Sequence, residues 1–176
     1  MGAEKMGSVS TVKVEARAEA GAGKDFRTSY LLSLKLIVRL HRRLLDVIKD
    51  ELDRLDCGDI NSVQALLLSN IGEAELTAGE LRTRGHYLGS NVSYNLKKLV
   101  EAGYINHQRS KTDKRAVRVS LTDRGQKVCD IIDGLYNRHI HMIESIKDLS
   151  EGELNAVNDT LKKLERFWTD QIRYRL

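Results

Sequence analysis

Between residues 104 and 121 the spacing of apolar side chains changes from the three- and four-residue repeat of the flanking segments to a repeat of two. That switch limits the fold to a mainly helical one carrying a small β-hairpin, an α+β arrangement. Tyr104 to Arg109 reads as one half-buried strand, SKTDKRA as a polar, basic turn, and Val117 to Leu121 as the returning strand. Upstream, Leu31, Leu34, Val38, His41, Leu45, Ile48, Leu52 and Leu55 predict a long helix from Phe26 that ends near Cys57-Gly58. NSVQALLLSNI starts at an Asn cap, Asn61, and stops at Gly72, as a short buried helix does. Thr77 and Glu80 have capping-box spacing, with Gly85 closing about two turns. A further helix starts at Gly89-Ser90 and ends at Gly103, with Val92, Leu96, Leu99 and Val100 as its apolar face.

Downstream of the hairpin, Thr122 caps a long helix through Val128, Ile132, Leu135, Ile140 and Ile146 to Leu149. Ser150 and Glu153 form another capping box, and a last helix carries Leu154, Val157, Leu161, Leu164, Trp168 and Ile172. None of the 176 residues is proline, so nothing interrupts these long helices. The length fits one compact domain. Residues 1–25, rich in Gly, Ala and Ser, read as a disordered tail. Residues 26–176 read as a single domain, with 26–58 and 123–176 as long flanking helices and 60–122 between them.

Several classes are excluded as expectations. The apolar stretch around Leu31–Val38 is broken by Ser33 and Lys35, so no membrane span is expected, and the N-terminus lacks a secretory signal pattern. Cys57 and Cys129 are too few for a disulfide framework or a four-thiolate zinc site, which points to a reduced, cytoplasmic setting. His139 and His141, two apart on a helix, point in different directions and do not share an ion, so no metal is expected. With no Gly-rich phosphate loop, paired metal-ligand motif or nucleophile elbow, the chain reads as no enzyme and needs no cofactor.

Two short helices joined by a tight turn and followed by a basic-tipped hairpin make a winged helix-turn-helix. Its second helix must be slim and polar on one face to enter a major groove about 12 Å wide. Ser90, Asn91, Ser93, Tyr94 and Asn95 supply that face, and Lys97 and Lys98 can neutralise phosphates. Bland alternatives stand beside these roles: Tyr94 packing on the wing or the preceding helix, and the lysines as a solvated face. The charge distribution favours double-stranded DNA as partner. Residues 77–118 hold nine Lys or Arg against three Asp or Glu, whereas the remainder holds 20 against 22, although the whole chain is only +4.

The run ELRTRGHYLGSNVSYNLKKLVEAGYINHQRSKTDKRAVRVSLTDRG resembles the MarR family of bacterial transcription regulators. Its wing carries Arg-Ser-x-x-Asp-x-Arg, and the following strand and helix start carry V-x-L-T-x-x-G as Val119 to Gly125. Within the family the sequence is similar to the LdtR-like alphaproteobacterial branch. The resemblance implies that Arg115 enters the minor groove and is held by Asp113, with Arg109, Lys111 and Lys114 on the same wing. Tyr94 and Gly89 depart from the residues many relatives carry there, which leaves the base preference open.

The resemblance also implies that the terminal helices of two chains intertwine. Their apolar faces are too wide for the small wing module to cover. A two-fold homodimer would set two recognition helices about 34 Å apart on a pseudo-palindrome. It further implies a small-molecule effector crevice near the junction of the dimer and the DNA module, with Tyr30 and His41 as lining residues or as core packing. Two other functions compete. A winged-helix protein-interaction module without DNA binding would have a neutral or apolar hairpin, and a thiol-based redox sensor would want a resolving cysteine beside Cys57 or Cys129.

Overall fold

The computed structural model describes residues 8–72, 76–77, 80, 89–109, 117–146 and 149–174. The chain forms two compact units, divided between Asp56 and Cys57. The first is one helix, α1 (Ser8–Arg54), of 47 residues. It begins well before Phe26, so the helix takes in residues that the sequence reads as tail. Ala16, Ala18, Ala20 and Ala22, with no proline among them, let the helical repeat run on. The helix ends where Asp56 takes a left-handed conformation, with φ of 54°, one that Asp tolerates better than most residues. Phe26, Leu32, Val38 and Leu40 are exposed on α1.

In the second unit the order is α2 (Ser62–Ile71), β1 (Leu76–Thr77), α3 (Gly89–Glu101), β2 (Ile105–Arg109), β3 (Val117–Leu121), α4 (Asp123–Ile146) and α5 (Glu151–Tyr174). The start of α2 is fixed by a reciprocal box: the Gln64 amide donates to Asn61 Oδ1 at 2.9 Å, and the Asn61 amide donates to Gln64 Oε1 at 3.0 Å. Gly72, at φ 57°, closes the helix and donates to the Leu68 carbonyl at 3.2 Å. Thr77 and Glu80 make the expected box, with Glu80 Oε2 accepting from the Thr77 amide at 2.7 Å and Thr77 Oγ1 from the Glu80 amide at 3.1 Å. The rest of the helix expected up to Gly85 lies outside the described residues.

The sheet has three antiparallel strands in the order β1-β3-β2. Ile105 faces Leu121, His107 faces Val119 and Arg109 faces Val117 across the hairpin, in the expected pairing. Strand β1 was not foreseen, because two residues carry no readable alternation; Leu76 pairs with Val119 and is buried. The core joins Leu67, Leu68 and Ile71 of α2, Val92, Leu96 and Leu99 of α3, Ile105 and Val119 of the sheet, and Val128, Ile132 and Leu135 of α4. Helix α4 is described to Ile146, and residues 147–148, before the predicted end at Leu149, lie outside the described residues.

The seam between α3, β2 and α4 gives the V-x-L-T-x-x-G pattern a physical meaning. Thr122 Oγ1 donates to the Gly103 carbonyl at 2.8 Å, and it accepts from the Gly125 amide at 3.2 Å as the cap of α4. The Thr122 amide donates to the Tyr104 carbonyl at 3.1 Å. A Cβ at position 125 would stand 2.3 Å from that same carbonyl oxygen, so only glycine lets α4 start this close to β2. Gly103 itself sits at φ 75°, turning the chain from helix into strand.

Candidate nucleic-acid interface

Helix α3 sorts its side chains by face. Val92, Leu96 and Leu99 are buried, while Ser93, Tyr94, Lys97 and Lys98 are exposed and Asn95 is half-buried. Tyr94 shows 62% of its surface. Ser90 and Asn91 lie at the start of the helix, and Arg109 is the last residue of β2. Lys111, Asp113, Lys114 and Arg115, the predicted wing residues, lie outside the described residues.

The lysines are not lone cations. Glu101, one turn along, lies 3.1 Å from Lys98 Nζ and 3.9 Å from Lys97 Nζ. The hydrogen bond to Glu101, backed by its charge, raises the Lys98 pKa, so the ammonium is held firmly charged. One carboxylate thus shares two ammonium groups, and phosphates would have to compete with it.

A groove of about 480 Å³ runs between α3 and the sheet, with Leu96, Val100 and Val119 as apolar lining and Ser93, Lys97 and His107 as polar lining. His107 and Val119 were not foreseen as site residues; only the strand register brings them opposite α3. Tyr30 and His41 both lie on α1, the first half-buried and stacked on Phe26 at 6.5 Å, the second exposed. Burial pushes the Cys129 thiol up to about 11, which disfavours the reactive thiolate; Cys57 is half-buried. Among the described residues no group of three or more His, Cys, Asp or Glu could hold a metal ion, and no helix is long and apolar enough to cross a membrane.

A helix with one polar, exposed face and one buried apolar face, set beside a small antiparallel sheet, defines a winged helix DNA-binding domain. Residues 60–125 match the family model described as winged helix DNA-binding domain. The chain is 36% identical to the exopolysaccharide II synthesis transcriptional activator ExpG of Rhizobium meliloti strain 1021, over 86% of this chain and 78% of that one. In fold it is similar to a mutant MarR of E. coli complexed with operator DNA, with a TM-score of 0.62 and 27% identity over 74% of this chain and 91% of that one. It also matches the fold of Streptococcus pneumoniae FabT in complex with DNA, with a TM-score of 0.65 and 22% identity over 80% of this chain and 98% of that one. The protein belongs to the MarR family and is a winged-helix DNA-binding transcription regulator. None of these matches singles out the LdtR-like branch, which stands on resemblance alone.

Proposed function

We propose that the protein acts in the cytoplasm as a homodimer on a pseudo-palindromic promoter site, and that a small-molecule effector modulates its affinity. The observation that carries the dimer is helix α5. Not one of its 24 residues is buried, although Leu154, Val157, Leu161 and Trp168 recur at helical spacing. Ile140, Ile143 and Ile146 at the end of α4 are exposed as well. An apolar strip of that length in water calls for a partner surface. In this reading residues 26–58 and 123–176 form the dimer, and residues 60–122 read DNA.

Within the reader, Ser90, Asn91, Ser93, Tyr94 and Asn95 would face base edges and phosphates in the major groove, with Lys97 and Lys98 on the backbone. Arg115, supported by Asp113, would enter the minor groove, and Arg109, Lys111 and Lys114 would meet flanking phosphates. Tyr30 and His41 remain the proposed effector-lining residues. They share one face of α1 but stand about 16 Å apart at 1.5 Å per residue, so a small ligand would touch one of them in each chain. That ExpG of Rhizobium meliloti is an activator supports activation as the direction of control.

The test is a mobility-shift titration on promoter fragments recovered with the protein from its own genome. Affinity should fall by about 10³–10⁵ between 50 and 200 mM salt if six to ten phosphates are contacted. Arg115→Ala should cost about 1–3 kcal/mol of binding with unchanged thermal unfolding. Salt-insensitive binding, or an Arg115→Ala variant with wild-type affinity, would remove the DNA-reading assignment.

A further inference from the structure

One guanidinium joins four segments of the second unit. Arg124, in the first turn of α4, donates from Nη1 to the Ala102 carbonyl at 2.7 Å and from Nη2 to Asp59 Oδ2 at 2.5 Å. Its Cζ lies 4.3 Å from the centre of the Tyr104 ring. The Tyr104 hydroxyl donates to the other oxygen of the same carboxylate, Asp59 Oδ1, at 2.7 Å. The cation therefore sits on a carbonyl at the C-terminal end of α3, where the helix dipole favours positive charge. It is oriented there by an acid from the turn that leads into α2.

We propose that Arg124 is a positioning residue for DNA recognition: it locks helix α3 to helix α4 across Gly103 and thereby sets the half-site spacing the dimer accepts. The proposal rests on the dimeric reading above. Gly103, at φ 75°, is the swivel between α3 and β2, and it lies between the two residues that Arg124 holds, Ala102 and Tyr104. Helix α3 has 13 residues and so extends about 20 Å from that swivel. A rotation of about 10° there carries its reading end roughly 3.4 Å, one base-pair step. A clamp at the joint thus converts a small angular tolerance into spacing discrimination. The Arg124–Asp59 pair is about half exposed, so it adds little to fold stability and its effect should lie in geometry.

Arg124→Gln, Asp59→Asn and the double variant test this. The DNA is a duplex enriched by the wild-type protein from a random-sequence pool, together with the same duplex lengthened or shortened by one base pair between half-sites. The variants should unfold near the wild-type temperature and bind the enriched site roughly tenfold more weakly. Their preference for the enriched spacing over the altered ones should shrink towards one. The double variant should lose no more than either single one, because both substitutions open the same clamp. Arg124→Lys keeps the charge but cannot span both acceptors, and should behave like Arg124→Gln.

Spacing discrimination equal to wild type in Arg124→Gln would overturn the proposal. Should the wild type enrich no duplex, the functional reading fails, and amide exchange in the free protein decides the clamp by itself. The amides of Ala102, Gly103 and Tyr104, which donate to Lys98, Val100 and Leu99 carbonyls, should then exchange roughly tenfold faster in Arg124→Gln while those of α2 stay unchanged. Unchanged exchange at those three overturns it.

Discussion

Helix α2 carries its apolar residues largely as the unbroken run Ala65–Leu68 and helix α5 at three- and four-residue spacing; six of the ten residues of α2 are buried and none of the 24 of α5 is. Both start with a capping box, so the difference lies in the width of their apolar faces and in what covers them. Leu67, Leu68 and Ile71 of α2 are buried, and α2 packs on α4. Leu154, Val157 and Leu161 of α5 face water. Periodicity reports that a helix has an apolar side; only topology, or a second chain, tells what meets it.

The largest effect that separates the two helices is expected on α5. Leu161→Glu places a charge on the strip that the dimer is proposed to bury, where an unpaired carboxylate is costly. Sedimentation should then give a species of one chain, 19.9 kDa, and binding to the enriched duplex should fall by orders of magnitude. An unchanged mass would mean that α5 is not the dimer contact. Leu68→Ala, in α2, should do the reverse. Removing a fully buried side chain should cost about 2–5 kcal/mol in denaturant unfolding while the assembled mass stays as it was. A loss below about 1 kcal/mol would show that α2 is no more enclosed than α5.

What was legible in the sequence follows from the range of the interactions involved. Local signals were read directly: the Asn61 cap, the Thr77–Glu80 and Ser150–Glu153 boxes, the Gly72 stop and the hairpin pairing each depend on residues near one another in the chain. The two faces of α3 were legible too, since an apolar face of Val92, Leu96 and Leu99 leaves Tyr94 and Lys97 on the outside by geometry alone. The start of α1 was not, because Ala-rich residues with scattered glycines carry no strong signal for either helix or tail. Strand β1 is too short to show alternation. The Asp59–Arg124 pair spans 65 positions and carries no local mark: Gly58-Asp59 reads only as a turn, and Arg124 only as one of the x positions in T-x-x-G. Nor does the ion pairing of Lys97 and Lys98 with Glu101 show in a count of net charge.

The smallest predicted effect also divides α2 from α5, this time by the chemistry of their caps. The α2 box is made by Asn61 and Gln64, neither of which titrates. In the α5 box, Glu153 Oε2 accepts from the Ser150 hydroxyl at 2.6 Å and from the Ser150 amide at 2.8 Å. Those bonds, the hydroxyl's first, lower the Glu153 pKa below the ordinary carboxylate value. A carboxyl group with a depressed pKa in the folded state stabilises above its unfolded value, about 4.3, and loses that contribution as pH falls through the lower folded value. Acidification through that window should therefore fray the first turn of α5 and leave that of α2 intact. Amide exchange at Glu153 and Leu154, compared with that at Gln64 and Ala65, measures the difference. Glu153→Gln should abolish the pH dependence while keeping the cap, since Gln64 shows that an amide in the third position can accept the same backbone bond. A pH dependence that persists in Glu153→Gln would move its origin from this carboxylate to another group.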